Sequence, residues 1–298
     1  MIFTLISIEL YKIFKKWRTY IGFIAFGLFI PVMIYGISLS GNFYLRNLKQ
    51  SIGEDFIITG NLLNGWFVAF LILQLIIVHV PFFITLVAGD LFAGEGTSGT
   101  YRMLLIRPIK RELVVLSKFI AGFIYAFVFI LFFALMSLVP SILLLGSGDL
   151  LIIIDKFVLI PEQDLWWRFV FAYFSAFISM SVVVSLGSLF SSFVNNAIGP
   201  IVGTMAVIVI FLIINQLPFE IFEKISPYLF TKYMMVWLEF FEFEVNWQNV
   251  IKSVLILIGH IILFWGIDSI NACKNLKIFI SCQIKIKIWT FNNCTNSS

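Results

Sequence analysis

Long runs of apolar residues alternate along the chain with short clusters of charge. Residues 19–45, 56–89, 119–148 and 169–219 contain no Asp, Glu, Lys or Arg, and a shorter charge-free run covers 253–267. A helix needs roughly 20 mostly apolar residues to cross the hydrocarbon core, so each of the first three runs predicts one crossing. The fourth is too long for one. Ser191-Ser192-Phe193-Val194-Asn195-Asn196, followed by Gly199-Pro200, interrupts it with turn and cap formers and divides it in two. The last becomes a full crossing if it starts near Trp247 and Lys252 snorkels to the interface. The pattern predicts an all-α integral membrane protein with six transmembrane helices, at about 19–41, 64–90, 118–146, 167–191, 197–216 and 248–269.

Residues 2–17 follow a different period. Phe3, Ile6, Leu10, Ile13, Phe14 and Trp17 interleave at helical spacing with Ser7, Glu9, Lys12, Lys15 and Lys16, the pattern of an amphipathic helix lying along a leaflet. A basic segment before an apolar run also resembles a secretion signal. Here the run is too long and no small-residue cleavage site follows, so it is expected to remain as an anchor.

Composition narrows the class further. At 61% hydrophobic and 12% charged, with 35 Phe, the chain cannot cover itself with a solvated surface. Two His and three Cys, the Cys all in the final segment, leave no disulfide framework and no His/Cys metal centre of recognisable spacing. The net charge of +4 is spread between apolar spans, which excludes a nucleic-acid-binding face.

The distribution of charge predicts orientation, because cytoplasmic loops carry the excess of Lys and Arg. Lys12, Lys15, Lys16, Arg18, Arg102, Arg107, Lys110, Arg111, Lys118, Lys274, Lys277, Lys285 and Lys287 fall on one side. Arg46, Lys49, Lys156, Arg168, Lys224, Lys232 and Lys252 fall on the other. Both termini are therefore expected to be cytoplasmic.

The loop between spans two and three is the most informative. Gly94-Glu95-Gly96-Thr97-Ser98-Gly99-Thr100 supplies small residues and caps, a short helix is expected over 101–106, and Pro108 stops it with Arg107, Lys110 and Arg111 displayed. A short capped helix suits docking into a groove of another protein. It is not a phosphate cradle, since the Lys-Ser/Thr pair and the preceding strand are missing. Within the spans, His79 precedes Pro81, and an intramembrane ionisable group is a candidate for a transport pathway or for a hydrogen bond across helices. Ser181, Ser185 and Ser188, with Ser192, form a stripe on span four that suits either a polar pathway or the close approach of two helices. Residues 216–249, with five Glu and a dense aromatic run, suit either short helices capping the outer mouth or an interfacial loop.

Glu95-Gly96-Thr97, Gly99-Thr100, Leu104-Leu105, Arg107-Pro108-Ile109, Arg111 and Lys118 resemble the loop after the second span in small bacterial six-span permeases of type-2 ATP-binding-cassette (ABC) exporters. Glu9-Leu10-Tyr11-Lys12-Ile13-Phe14-Lys15-Lys16-Trp17-Arg18 is similar to their elbow helix, and the turn Asn195-Asn196-Ala197-Ile198-Gly199-Pro200 is similar to theirs. The resemblance implies an elbow over 1–18, carrying Glu9, Lys12, Lys15, Lys16 and Trp17, and a permease domain over 19–270. It implies a transport subunit without catalytic residues, in a bacterial plasma membrane, that pairs with a second permease copy or paralogue. A separate ATPase subunit would carry ATP and Mg and would contact Glu95, Gly96, Thr97, Gly99, Thr100, Arg107, Pro108 and Arg111. The alternative is an ion-coupled secondary transporter or channel without an ATPase, which would place buried charges at mid-membrane. Residues 271–298 depart from the pattern: Ile284-Lys285-Ile286-Lys287-Ile288 alternates with period two before an Asn, Thr and Ser end, as frameshifted or read-through sequence would.

Overall fold

The protein is described here by a computed structural model covering residues 2–52, 63–76, 78–98, 111–153, 157–194 and 196–295; at 40–52, 76, 96–98, 111, 153, 157 and 272–295 it describes the backbone alone. Helix α1 (Ile2–Lys15) turns at Lys16 into α2 (Trp17–Ile52). Helices α3 (Gly65–Ile76) and α4 (Val80–Ala88) lead through a helical turn to α5 (Ala93–Ser98). A long α6 (Arg111–Leu145) is followed by strands β1 (Leu150–Ile153) and β2 (Phe157–Ile160), then α7 (Glu162–Phe193) and α8 (Ile198–Gln216). Short α9 (Glu220–Ile225) and α10 (Phe230–Tyr233), each followed by a 3-10 turn, precede α11 (Trp247–Thr295). Among the described residues five helices are long and apolar enough to cross a membrane, and the α3–α4 pair, bent by 54°, makes a sixth crossing if counted as one.

That bend has a local cause. Pro81 contributes no backbone N–H, so the helical hydrogen-bond ladder cannot run unbroken through this position. His79 ends up exposed at the N-cap of α4, with Nδ1 3.3 Å from the Leu75 carbonyl of its own chain segment. Its hydrogen bond is local and does not join two spans.

The helices group around α7. Its most apolar stretch is 72% buried, against 22% for α2, 17% for α8 and 11% for α11, so α7 is the central rod and the others present broad faces to lipid. In lipid there is no hydrophobic gain in pressing two apolar helices together, and close backbone approach takes over. A Cβ on Gly187 of α7 would lie 2.7 Å from the Ala88 Cβ of α4, and one on Gly65 would overlap the backbone of Ile142 in α6. Phenylalanine is used internally as well as toward lipid. Phe83 and Phe133 pack edge to face on Phe26, at 5.0 and 5.5 Å between centroids, Phe129 lies tilted against it at 5.7 Å, and Phe129 and Phe133 are fully buried.

Two features lie outside the spanning helices, and the first of them corrects the all-α expectation. Strands β1 and β2 pair antiparallel, Leu150 opposite Ile160 and Ile153 opposite Phe157. Their runs of Leu, Ile, Val and Phe flank Asp155-Lys156, so β-propensity and a central break were visible in the sequence. Asn64 holds the hairpin in place: Nδ2 donates to the Asp149 carbonyl at 2.6 Å, while the Asp149 carboxylate accepts the Glu162 N–H at 3.0 Å. The 216–249 segment is also no loose interfacial loop. Met234, Val236, Trp237, Phe240 and Phe241 are buried, and the Phe241 ring lies 4.9 Å from both Phe70 and Phe169. Arg168 of α7 ties its end down, Nη1 donating to the carbonyls of Phe240 (2.9 Å) and Glu242 (2.6 Å).

Gly65→Ala is expected to cost about 1–3 kcal/mol, because the added methyl meets backbone and not a movable side chain. Gly36→Ala, with nothing within 4 Å, should be neutral or slightly stabilising. Melting temperatures of the two purified variants in detergent check the contrast.

Candidate functional site

Helix α1, the α4–α5 turn and the start of α6 meet at one end of the bundle. The sequence reading assigned Glu9 to the polar face of the elbow, yet Glu9 and Ile13 are its buried residues, while Phe3 and Tyr11 are exposed. The reason is Lys118. Its ammonium is 1% exposed and lies 2.9 Å from Glu9 Oε2 and 2.7 Å from Glu95 Oε1. Lys12 closes the circuit at 2.7 Å from Glu9 Oε1 and 2.6 Å from Glu95 Oε1. Two carboxylates and two ammonium groups alternate around a neutral ring. Lys118 directs its third N–H to the Leu91 carbonyl at 3.1 Å, so all three of its donors are used. Such a charge is tolerated in the interior only when it is paired and hydrogen-bonded in this way.

The ring joins three elements that are far apart in sequence. A second ion pair, Lys16 with Asp90 at 2.5 Å, adds another link between the α1–α2 corner and the turn after α4. A Cβ on Gly94 would meet the Asp90 carboxylate, so a larger residue there would displace that side chain from its pairing with Lys16. From α7, Ser191 Oγ donates to the Gly89 carbonyl (2.7 Å) and accepts the N–H groups of Phe92 (3.0 Å) and Ala93 (2.9 Å). The segment entering α5 is thus held by α1, α6 and α7 together.

Glu95 is buried at the start of α5, and Gly96, Thr97 and Ser98 continue that helix, where the sequence suggested a capping stretch ahead of a later helix. Gly99, Thr100, Arg107, Pro108 and the helix expected over 101–106 lie outside the described residues. Arg111 opens α6. Of the elbow residues, Lys12 joins the ring and Lys16 pairs with Asp90, whereas Lys15 and Trp17 are exposed. Ser181, Ser185 and Ser188 are buried, and each hydroxyl bonds a carbonyl of its own helix, at 2.9, 2.7 and 3.1 Å. They sit in the helix interface. An apolar cleft of about 320 Å³ opens elsewhere, between α6 and α7 at Ile130, Leu131, Phe169 and Val170.

Two participants escaped the sequence reading. Asp90 stands at the first charge after span two. Asp268, fully buried near the end of the apolar stretch of α11, lies 3.0 Å from Ser188 Oγ, whose single proton has this carboxylate and the Ser185 carbonyl as alternative acceptors. The available signal was Glu9 itself, which lies at helical spacing between Ile6 and Ile13 and so on the apolar arc. A charge there demands a buried partner. Among the described residues no group of three or more His, Cys, Asp or Glu is placed to hold a metal ion.

Burial alone would push the Glu95 carboxyl up, but Lys118 and Lys12 outweigh it and hold the group below its ordinary value of 4.5. A carboxyl depressed in the folded state stabilises the fold above that ordinary value, and the contribution is lost as pH falls through the folded-state value. Melting temperature should therefore fall below about pH 4.5, and Glu95→Gln should flatten that acid limb. Lys118→Met strands two buried carboxylates with one ammonium. It should cost about 3–5 kcal/mol by thermal unfolding, and more than Lys12→Met at the half-exposed rim.

A search of curated proteins finds no match to the chain. A model of the ABC-2 family transporter proteins matches residues 3–271, a stretch that holds the elbow helix, every spanning helix and the charge ring. The chain belongs to the ABC-2 family of membrane transporters.

Proposed function

We propose that the chain is the permease subunit of an ABC exporter, driven by a separate ATPase subunit that binds at the α1 end of the bundle. The observation that carries this reading is the charge ring, which locks α1, the entry to α5 and the start of α6 into one unit at the point where the resemblance puts the ATPase contact. Glu95 holds that unit together from inside. Direct contact falls to the rest of the loop, Gly96, Thr97, Gly99, Thr100, Arg107, Pro108 and Arg111. ATP and Mg belong to the partner.

The excess of Lys and Arg at the α1 end supports a cytoplasmic position for that end, and the resemblance to bacterial permeases supports a bacterial plasma membrane. Closure of an ATPase pair would then move a rigid unit of two permeases, either identical copies or paralogues, between two arrangements. The carrier or channel reading gains little from Asp268, because this carboxylate lies near the end of the Trp247–Asn271 stretch and not at its middle. The 271–298 segment begins where the family match ends and is read as dispensable for transport.

Two variants separate docking from coupling. Arg107→Glu should lower co-purification of the co-expressed ATPase subunit by about tenfold, the cost of reversing one contact charge. Glu95→Gln should leave most of the association intact and reduce substrate-stimulated ATP hydrolysis. Unchanged association and transport in both would overturn the assignment. Truncation after Ala272 should leave expression and transport unchanged.

A further inference from the structure

The corner where α1 meets α2 carries two cations that neither the ring nor the Lys16–Asp90 pair uses. Lys15 and Arg18 are exposed, and among the described residues no ion pair forms to either, whereas Lys12, Lys16 and Lys118 are all engaged. Two exposed aromatics flank them, Tyr11 at 66% and Trp17 at 73% exposure, and Lys15 Nζ lies 5.7 Å from the centroid of the Tyr11 ring. Immediately beyond the corner α2 turns an exposed apolar face outward at Ile21, Ile24 and Leu28. That face belongs in hydrocarbon, so the corner itself lies at the depth of the headgroups. Aromatic rings with a polar tip and long basic side chains are the residues that this depth favours.

We propose that Lys15 and Arg18, flanked by Tyr11 and Trp17, bind the phosphate of an anionic phospholipid in the leaflet that holds α1. Charge complementarity selects the lipid class. A phosphatidylglycerol headgroup brings one uncompensated negative charge to two uncompensated positive ones, while the phosphate of phosphatidylcholine is already neutralised by its own cation. The lipid site bridges α1, which supplies Glu9 and Lys12 to the ring, and the start of α2, so an occupied site steadies the elbow against the bundle. Binding of lipid to the isolated chain does not involve the ATPase, so its failure and the failure of the exporter reading are separate outcomes.

The test is native mass spectrometry on the full-length chain in detergent, titrated with phosphatidylglycerol or phosphatidylcholine. Each cation near an anionic headgroup contributes about fivefold in affinity, so the wild type should prefer phosphatidylglycerol by about 25-fold. Lys15→Gln and Arg18→Gln should each lower that preference about fivefold, and the double variant should abolish it. Lys15→Arg with Arg18→Lys should preserve the preference, as should Lys224→Gln with Lys232→Gln at the opposite end. Equal affinity of the wild type for both lipids overturns the proposal. So does a full preference in the double glutamine variant, or an equal loss in the Lys224/Lys232 control.

Discussion

Three buried charges and a fourth at the half-exposed rim govern the end of the molecule where α1, α5 and α6 meet. Glu9, Lys12, Glu95 and Lys118 come from three separate stretches of chain, and none is stable there without the others. An isolated buried carboxylate or ammonium costs several kcal/mol even after the surroundings relax. Alternation of sign around a closed ring removes that cost without leaving a net charge. The consequence is mechanical as well as energetic: α1 cannot lift away from the bundle, nor α5 shift along α6, without separating opposite charges in a medium that screens them poorly.

Helix α7 carries the consequence across the membrane. At one end Ser191 grips the turn that enters α5, and at the other Arg168 grips the end of the aromatic segment at Phe240 and Glu242. Between them the helix is buried along most of its length, with its serine hydroxyls turned back onto its own carbonyls. The rod is thus tied by hydrogen bonds near both of its ends. The small residues of α7 matter here because they allow α4 to approach at Gly187. Ser181, Ser185 and Ser188 of this rod are buried, and the cleft between α6 and α7 is lined by other residues.

Much of the architecture was legible in residue order alone. Charge-free length predicted the crossings, Asn195-Asn196 before Gly199-Pro200 marked the reversal between α7 and α8, and helical spacing marked α1. Each of these depends on neighbours within a few residues or on the thickness of the bilayer, and both are properties of a sequence. The hairpin over 150–160 was overlooked although its β-branched and aromatic runs were visible, because apolar segments in such a chain are so readily assigned to helices. The face of α1 was misjudged because a Glu is ordinarily a surface residue, and only its partner on α6 makes the interior tolerable.

The sequence by itself determined membrane residence, the approximate placement of the crossings, and a basic loop after span two, since these follow from hydrocarbon thickness, backbone hydrogen bonding and the local statistics of charge. Only the tertiary structure decided which charges meet. Residues 9, 95 and 118 carry no mark of one another along the chain, and their pairing exists because three helices converge within a few ångströms at one end of a buried rod. Pair energies fall with distance in space, not in sequence, so a buried ring of four charges becomes visible only once the fold has brought its members together.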